Sequence, residues 1–303
     1  MPKRGNKKRL IISVAAVLLM LVLATVLYSV PALRNFFEPV LSQSSGGFDT
    51  SQDFVRFLDV GQGDSILIYS NGRSVLIDTA TVNYENEICA DLNSCAIDSL
   101  DALIISHLHT DHTGSLSRMV DDYKVKNLIL PELSIHSEGM GAAQYAVNAV
   151  TEYGGAVYNA EQGMNFEVGE FEITILASYG DFDEVNDQSL FVMAEIDGKK
   201  FMFSGDAEKQ AENRIMSEGL NLDCDVFKAG HHGSNTSSTE KFLREMTPDY
   251  VAISCGTDNM YGHPHNDVLQ NLEEIDAEVF RTDLQGDITF YVEKGVIRTE
   301  SEK

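Results

Sequence analysis

The histidine-rich segment 106–112 (SHLHTDH) constrains this chain more than any other feature. It places three histidines and one aspartate within six residues, directly after an apolar, strand-like run. Side chains at i and i+2 of an extended segment lie on the same face, so His107 and His109 can bind one metal ion. Asp111 and His112 can bind a second ion nearby, since imidazole and carboxylate are common metal ligands. The segment predicts a metal site at a strand end; the alternative is a solvated histidine-rich turn.

The other histidines are also grouped, and of the eight in the chain only His136 stands alone. Adjacent side chains on an extended segment point opposite ways. One of His231 and His232 is therefore predicted to face the metals, as a ligand or as the general acid that protonates the leaving group. His263 is held extended by the proline that follows it, and it is predicted to be the late ligand of the second metal. His265 is either a further site residue or a surface residue.

Three aspartates at strand ends complete the predicted site. Asp206 follows a strand and a glycine at the start of a helical stretch. It is either a helix N-cap or a carboxylate that bridges two cations about 3.5–4 Å apart. The glycine-rich segment 59–65 lacks the third glycine of a dinucleotide fingerprint and precedes a strand. We interpret it as a hairpin whose Asp64 or Gln62 contacts substrate or metal ligands. Asp78 is predicted to orient the histidine segment.

The N-terminal 30 residues differ from the rest of the chain. Five basic residues lie in 1–9, and residues 10–30 form an uncharged apolar run. A helix of that length, about 31 Å, crosses the hydrocarbon layer. A secretory signal has a shorter apolar core and a cleavage site of small residues, which favours an uncleaved signal anchor over a cleaved leader. The basic tail is predicted to be cytoplasmic, which puts the C-terminal domain outside the cytoplasm of a single-pass cell-membrane protein.

Residues 31–51 are predicted to form a flexible linker, and residues 52–300 one domain that carries the predicted metal site. From Phe54 onward, twelve strand-like runs alternate with five amphipathic stretches, a pattern typical of a layered α/β domain. The predicted helices are Gly114–Asp122, Met140–Glu152, Ala207–Glu218, Thr239–Met246 and Asp267–Ile275.

The acidic balance of the chain limits its partners. Residues 31–303 carry 17 basic and 47 acidic groups, a formal charge of −30. Such a surface repels nucleic acid at long range, so no stable nucleic-acid complex is expected. A hydrolase whose local site is made positive by metals is still compatible with this charge. The four cysteines contain no C-x-x-C pair: Cys89 and Cys95 could close a disulfide, Cys224 and Cys255 could pair, or all could be buried thiols.

Seven motifs in a fixed order resemble the metallo-β-lactamase superfamily, in particular the hydrolase-like domain of the ComEC competence proteins. They cover roughly residues 54–292, most of the chain. The motifs are LDVGQGDS (58–65), LIDT (76–79), HLHTDH (107–112), NDQS (186–189), GDAE (205–208), GHHGS (230–234) and YGHP (261–264).

The resemblance implies an αββα sandwich with a site for two divalent metal ions, zinc or manganese, at one edge. It implies that the first metal is held by His107 and His109, and the second by Asp111, His112 and His263. Asp206 would bridge the two. Asp64, Asp78, Asp187 and Ser189 are predicted to support the site or to contact substrate.

This chain departs from the family in two respects. A single predicted anchor replaces the multi-helix channel of ComEC proteins, so the chain alone cannot form an uptake pore. The superfamily also supplies a third histidine to the first metal, and His136 is the only histidine in the corresponding interval. The expected position holds 186–189, as in the ComEC-like branch. Asp187 either substitutes for the histidine or the first metal is weakly bound.

The predicted chemistry is metal-assisted hydrolysis of a phosphodiester. In it, Asp111 has a catalytic role and His231 or His232 protonates the leaving group. The substrate is DNA, or a smaller or cell-surface phosphodiester, and the acidic surface favours the smaller ones. Two alternatives remain at this stage: an ester, lactone or β-lactam hydrolase using the same metals, and a non-catalytic extracellular binding module. The intact set of ligands disfavours the binding module.

Overall fold

Two β-sheets form the centre of the computed structural model, which describes residues 49–132 and 137–303. Their strands are β1 (Asp53–Phe57), β2 (Ile66–Ser70), β3 (Arg73–Ile77), β4 (Ser99–Leu100), β5 (Ala102–Ile104), β6 (Lys124–Val125), β7 (Asn127–Leu130), β8 (Ala156–Asn159), β9 (Asn165–Val168), β10 (Phe171–Ala177), β11 (Phe191–Ile196), β12 (Lys199–Phe203), β13 (Val226–Lys228), β14 (Tyr250–Ile253), β15 (Glu278–Arg281), β16 (Ile288–Glu293) and β17 (Val296–Ser301). One sheet has the order β17-β16-β1-β2-β3-β5-β7-β8 and the other β15-β14-β13-β12-β11-β10-β9, while β4 and β6 form a separate short pair.

The inner faces of the two large sheets pack against each other through a continuous apolar core. Strand alternation turns every second side chain inward, and aromatic rings from both sheets meet there. The ring of Phe57 lies 5.7 Å from that of Phe290 and 6.2 Å from that of Phe203, and Phe201 contacts Phe290 at 6.4 Å. All four are buried. Burial of a phenylalanine side chain contributes about 1.5–3 kcal/mol, so this core holds the two sheets in register.

Helices cover the outer faces. They are α1 (Glu85–Ser94), α2 (Thr110–Thr113), α3 (Leu116–Asp122), α4 (Met140–Glu152), α5 (Lys209–Ser217), α6 (Glu240–Met246), α7 (Asn266–Glu274) and α8 (Thr282–Gln285). A second apolar cluster joins α5, α6 and α7 to one sheet through side chains such as Ile215, Phe242 and Leu272. On the other sheet, α4 packs on β7 and β8, and α3 packs on α4. The predicted αββα sandwich is therefore confirmed for the described residues.

Parallel strands bring the polar loops to one edge. In one sheet β3, β5, β7 and β8 are parallel neighbours, and in the other β12, β13, β14 and β15 are. Phe203 of β12 is level with Lys228 of β13, which is level with Ala252 of β14. Loops that follow the carboxyl ends of such strands line a shared crevice, where open α/β sheets bind ligands.

The predicted tail (1–9), anchor (10–30) and nearly all of the linker lie outside the described residues, as does His136. Within residues 49–132 and 137–303, no helix is both long and apolar enough to span a membrane. All four cysteines are buried free thiols, so neither of the considered disulfides is present.

A buried charge cluster ties α1 to the first sheet. Arg56 of β1 contacts two carboxylates through Nη2, the Oδ1 of Asp91 at 2.8 Å and the Oδ2 of Asp287 at 2.5 Å. One buried guanidinium thus forms ion pairs with two carboxylates. Burial, opposed by Arg56 and reinforced by Asp287, raises the pKa of Asp91 to about 6.

Asp91→Asn is expected to remove a pH-dependent cost. Because the pKa of Asp91 is raised in the folded protein, the folded state binds more protons than the unfolded state between about pH 4 and 6. Protonated Asp91 therefore stabilises the folded state relative to ionised Asp91. This contribution is present below that window and is lost as the pH rises through about 6. Relative to the wild type, the variant should gain about 1–3 kcal/mol of unfolding free energy at pH 8 and almost nothing at pH 4. Urea unfolding at both pH values measures this, with the exposed Asp98→Asn as control; an equal effect at both would contradict it.

Candidate metal centre

The metal-fitting residues follow the ends of three strands, β5, β12 and β13. His107 and His109 lie in the loop after β5, and the short helix α2 carries Asp111 and His112. Asp206 follows β12, and the turn 230–233 follows β13. The glycine-rich segment 59–65 packs against the same loop, since the Asp64 amide donates to the Asp111 carbonyl at 3.2 Å. A Cβ at Gly63 would lie 2.5 Å from that carbonyl oxygen, which explains the glycine there.

Asp111, His112, Asp206 and His232 form a group whose ligand atoms all lie within 4.8 Å of one another. His232 Nε2 is 3.4 Å from Asp111 Oδ2 and 3.6 Å from Asp206 Oδ2, and His112 Nε2 is 3.4 Å from Asp206 Oδ1. His112 Nε2, His232 Nε2 and Asp206 Oδ1 are buried without a hydrogen-bond partner. Buried polar atoms left unsatisfied are rare in folded proteins. Two imidazoles and two carboxylates converging in this way fit a divalent cation.

His107 and His109 lie next to this group, and the ring of His107 is 4.1 Å from that of His112. His107 Nε2 is 3.1 Å from His109 Nδ1 and 3.9 Å from Asp206 Oδ2. His107 is fully buried, and burial, with His112 nearby, holds its pKa well below the ordinary value, so it is neutral and able to ligate. Asp206 Oδ1 thus lies near His112, and its Oδ2 lies near both His107 and His232, so this carboxylate contacts both sets of histidines.

One aspartate and one backbone carbonyl orient the ligand imidazoles through their Nδ1 atoms. Asp78 Oδ2 accepts from His112 Nδ1 at 2.8 Å, and Asp78 also accepts from the amide and hydroxyl of Ser106 at 2.7 and 2.6 Å. His232 Nδ1 donates to the Ser254 carbonyl at 3.0 Å and lies 3.4 Å from Asp64 Oδ1. Donation from Nδ1 leaves the Nε2 lone pair for a metal, as in other carboxylate–histidine–metal arrangements.

The charge of the buried group also suits a cation. Burial alone would lower the pKa of His112 and His232, but the surrounding carboxylates, Asp206 foremost, raise the pKa of His112 well above its ordinary value and that of His232 to about 9. Burial raises the pKa of Asp206, yet His232 and His112 hold it well below the ordinary value. The pocket thus stabilises positive charge, and a metal bound there replaces protons on the imidazoles.

The turn 230–233 differs from the extended segment predicted for it. His231 and His232 both have left-handed backbone conformations, with φ of 48° and 55°. Their rings diverge with centroids 6.1 Å apart, yet both face the site. His232 is buried among the carboxylates, whereas His231 is partly exposed with Nε2 3.8 Å from Asp206 Oδ2. His231 Nδ1 lies 3.2 Å from Glu208 Oε1, which orients the ring.

His263 lies beside the metal-fitting group and not within it. Its ring is stacked at 6.4 Å from that of His232, and its Nδ1 is 3.2 Å from Gln62 Nε2. Burial, followed by the neighbouring His231, lowers its pKa to about 4, so it is neutral. His265 Nδ1 accepts the Asn235 amide at 3.0 Å, a contact that fixes the loop.

Asp187 and Ser189 hold the loop that carries Asp206. The Asp187 carboxylate accepts the Glu208 and Ala211 amides at 2.9 and 3.1 Å, and Ser189 Oγ accepts the Asp206 amide at 3.0 Å. Asp187 Oδ1 thus accepts two backbone amides at the start of α5. Both residues therefore hold the backbone around Asp206 in place.

Lys228 was not singled out in the sequence. This fully buried lysine at the end of β13 donates to Asp64 Oδ2 at 2.7 Å and to the Ala229 carbonyl at 2.9 Å. Burial raises the pKa of Asp64, but Lys228 and then His232 outweigh it and lower that pKa to about 2. The available signal was a lone lysine inside an apolar strand, directly before the paired histidines.

A cleft of about 460 Å³ opens above these residues. Asp111, Asp206, His231 and His232 lie in its floor and wall, and no lysine or arginine is among its lining residues within the described chain. The lining residues are Gln62, Thr81, His109, Thr110, Asp111, Glu138, Asn186, Asp206, His231, His232, Tyr261 and His263.

A protein-family model and two curated relatives match this chain. A family model described as the metallo-beta-lactamase superfamily matches residues 58–257. ComE operon protein 3 of Bacillus subtilis (strain 168) is 32% identical over 261 residues, covering 80% of this chain and 33% of that protein. Competence protein ComA of Neisseria gonorrhoeae is 30% identical over 248 residues, covering 81% of this chain and 33% of its own length. The chain spans about one third of the length of these curated relatives.

The same fold occurs in a solved structure. The metallo-beta-lactamase fold protein YhfI from Bacillus subtilis superimposes with a TM-score of 0.53 at 11% identity, over 82% of this chain and 100% of that one. At this level of identity the likeness concerns the fold alone.

Proposed function

This chain belongs to the metallo-β-lactamase superfamily, and we propose that it is a phosphodiesterase that uses two divalent metal ions, zinc or manganese. The observation that carries the proposal is the convergence of Asp111, His112, Asp206 and His232, with three of their ligand atoms buried and without a hydrogen-bond partner and with His107 and His109 adjacent. When bound, such cations lower the pKa of water toward 7 and polarise a phosphoryl oxygen.

We assign a separate role in metal binding to each side chain of the site. His112, Asp111 and His232 would hold one metal, and we assign the role of the late ligand to His232 because its Nε2 faces both carboxylates. Asp206 would be the carboxylate shared by the two metals. Asp78 and the Ser254 carbonyl accept the protons on the Nδ1 atoms of His112 and His232, which keeps the Nε2 atoms available.

His231 is the proposed general acid. Glu208 accepts at its Nδ1, so Nε2 is the atom presented to the cleft. A proton held there is positioned to move to the leaving oxygen of a substrate bound over Asp206. Its partial exposure distinguishes it from His232 and allows it to regain a proton from solvent.

The net charge of the chain and its similarity to competence proteins restrict the class of phosphodiester that we propose as substrate. The resemblance to the ComEC hydrolase domain, and relatives named as competence proteins, support DNA as one phosphodiester. The formal charge of −25 and the absence of lysine and arginine from the described cleft lining favour short or small diesters over long duplexes. We further propose that residues 10–30 anchor the chain in the cell membrane with the hydrolase domain outside the cytoplasm.

The full chain in mild detergent, loaded with manganese or zinc, should hydrolyse bis(p-nitrophenyl) phosphate. Removal of the metals with EDTA should abolish the activity, and Asp111→Ala should lower it by at least about 10³-fold, since a ligand of one cation is lost. Release of p-nitrophenol measures this, with single- and double-stranded DNA assayed in parallel. Activity that persists in Asp111→Ala would show that the site is wrong. Cleavage of an ester or a β-lactam, with no diester cleaved, would favour the alternative hydrolase.

A further inference from the structure

Tyr261 stands at the mouth of the cleft with an uncovered ring. Its side chain is 60% exposed, although it lines the same cleft as Asp111 and Asp206. One face of the ring is stacked on His263, with centroids 5.6 Å apart and planes 23° from parallel. The preceding Met260 is 89% exposed. An aromatic ring supported on one side and open on the other is suited to stack a planar ligand.

The loop that carries this ring is fixed before any ligand arrives. The Asn259 side chain accepts the His263 amide at 2.9 Å, and it donates to the carbonyls of His263 and Gly256 at 2.6 and 2.9 Å. Gln62 contacts His263 Nδ1 and accepts the Gly256 amide at 3.3 Å. A contact surface held in this way needs little ordering on binding, so a stacked ligand retains most of its contact energy.

The cleft lacks the usual means of holding a nucleic-acid backbone. Proteins that grip phosphates use lysine and arginine, and neither occurs in the cleft lining of the described chain. Its charged side chains include the carboxylates of Asp111, Glu138 and Asp206. Apart from the phosphate bound over the metal ligands, the substrate must be held through contacts that do not depend on cationic side chains. Stacking on Tyr261 is such a contact, and it tolerates any base because every base has a flat face.

The ring of Tyr261 shares its cleft with the metal ligands. His263 contacts both Tyr261 and His232, whose Nε2 is in the metal-fitting group. A base on Tyr261 would therefore occupy the same cleft as a phosphate over Asp206. Resting on the proposed diesterase activity, we propose that Tyr261, backed by His263, is a stacking platform that selects nucleotide diesters with an unpaired base. Bases inside a duplex are unavailable to it unless they are unstacked.

Two substrates with the same leaving group test the platform in the full, metal-loaded chain. One is the p-nitrophenyl ester of thymidine 5′-monophosphate, and the other is methyl p-nitrophenyl phosphate, which has no base. In Tyr261→Ala the ratio of kcat/KM for the first over the second should fall about 10- to 100-fold, chiefly through KM. Tyr261→Phe should retain the ratio, as should Tyr145→Ala, which removes an exposed tyrosine of α4. An unchanged ratio in Tyr261→Ala would overturn the proposal.

A binding measurement separates this proposal from the proposed function. Fluorescence anisotropy of a labelled thymidine pentanucleotide reports binding whether or not a diester is cleaved. Binding by the wild type that weakens at least about 10-fold in Tyr261→Ala supports the platform even if no hydrolysis is found. Pentanucleotide binding that is absent, or equal in the two proteins, contradicts it, whereas failure to cleave any diester contradicts only the proposed function.

Discussion

Replacing His232 with alanine should remove one of two bound metal equivalents and lower diester hydrolysis by at least about 10³-fold. The reason is geometric: its Nε2 lies 3.4 Å from Asp111 and 3.6 Å from Asp206, is buried, and has no hydrogen-bond partner. An alanine leaves a cation at this place with three protein ligands. Elemental analysis of the dialysed protein counts the metals, and steady-state kinetics measure the rate. The metal count does not depend on the choice of substrate.

His263→Ala is the matched comparison, because His263 is the ligand that the sequence motif favours. In the structure its Nδ1 faces Gln62, and its ring backs Tyr261. We expect His263→Ala to keep both metal equivalents and to affect mainly the KM for substrates that carry a base. The opposite result, one metal lost in His263→Ala and none in His232→Ala, would return the role of late ligand to His263.

The turn 230–233 explains why the sequence could not show that both His231 and His232 face the site. The prediction assumed an extended segment, in which only one of two adjacent histidines faces the site. In the structure both residues have positive φ, a conformation that few non-glycine residues adopt. It turns both rings toward the cleft. In this conformation the His231 amide donates to the Gly205 carbonyl, and a Cβ at Gly233 would meet Pro264.

Much of the framework was nonetheless readable from the sequence. The strand before the segment 106–112 was predicted from its apolar run, and each of the five predicted helices overlaps a helix of the structure. Convergence of the histidine and aspartate loops follows from the parallel order of β12, β13 and β14, because parallel strands end at one edge. Hydrophobic periodicity carried these predictions, since these elements bury a clear apolar face.

The elements that were missed lack such a face. The helix α1 buries Ile88 and Leu92, but acidic and polar residues around them obscure the helical period. The edge strand β8 has no fully buried residue, and β17 alternates only between exposed and partly buried positions. Their pairing is decided by tertiary contacts: β8 joins β7, and β17 joins β16. Strand propensity depends on such context and is weak without it.

The buried pair of Lys228 and Asp64 should control stability as strongly as His232 controls activity. Both side chains are almost completely inaccessible, and Lys228 Nζ lies 2.7 Å from Asp64 Oδ2. Lys228→Met would leave the Asp64 carboxylate buried opposite Asp78 without its cation, because the nearby His232 already donates to Ser254. Breaking a buried pair by removing one partner costs about 3–5 kcal/mol, and we expect a loss of that order in the free energy of unfolding.

The double variant Asp64→Asn with Lys228→Met separates the pair from the bulk of its side chains. With neither charge left to desolvate, it should recover part of the loss, so that the two single effects add to more than the double effect. Urea unfolding of the metal-free chain measures all three, with the exposed Lys294→Met expected to leave the midpoint unchanged. Strictly additive single effects would mean that the two charges do not interact. Coupling would show that Lys228 offsets the charge of Asp64, so that this carboxylate can stay ionised behind His232 while the imidazole faces Asp111 and Asp206.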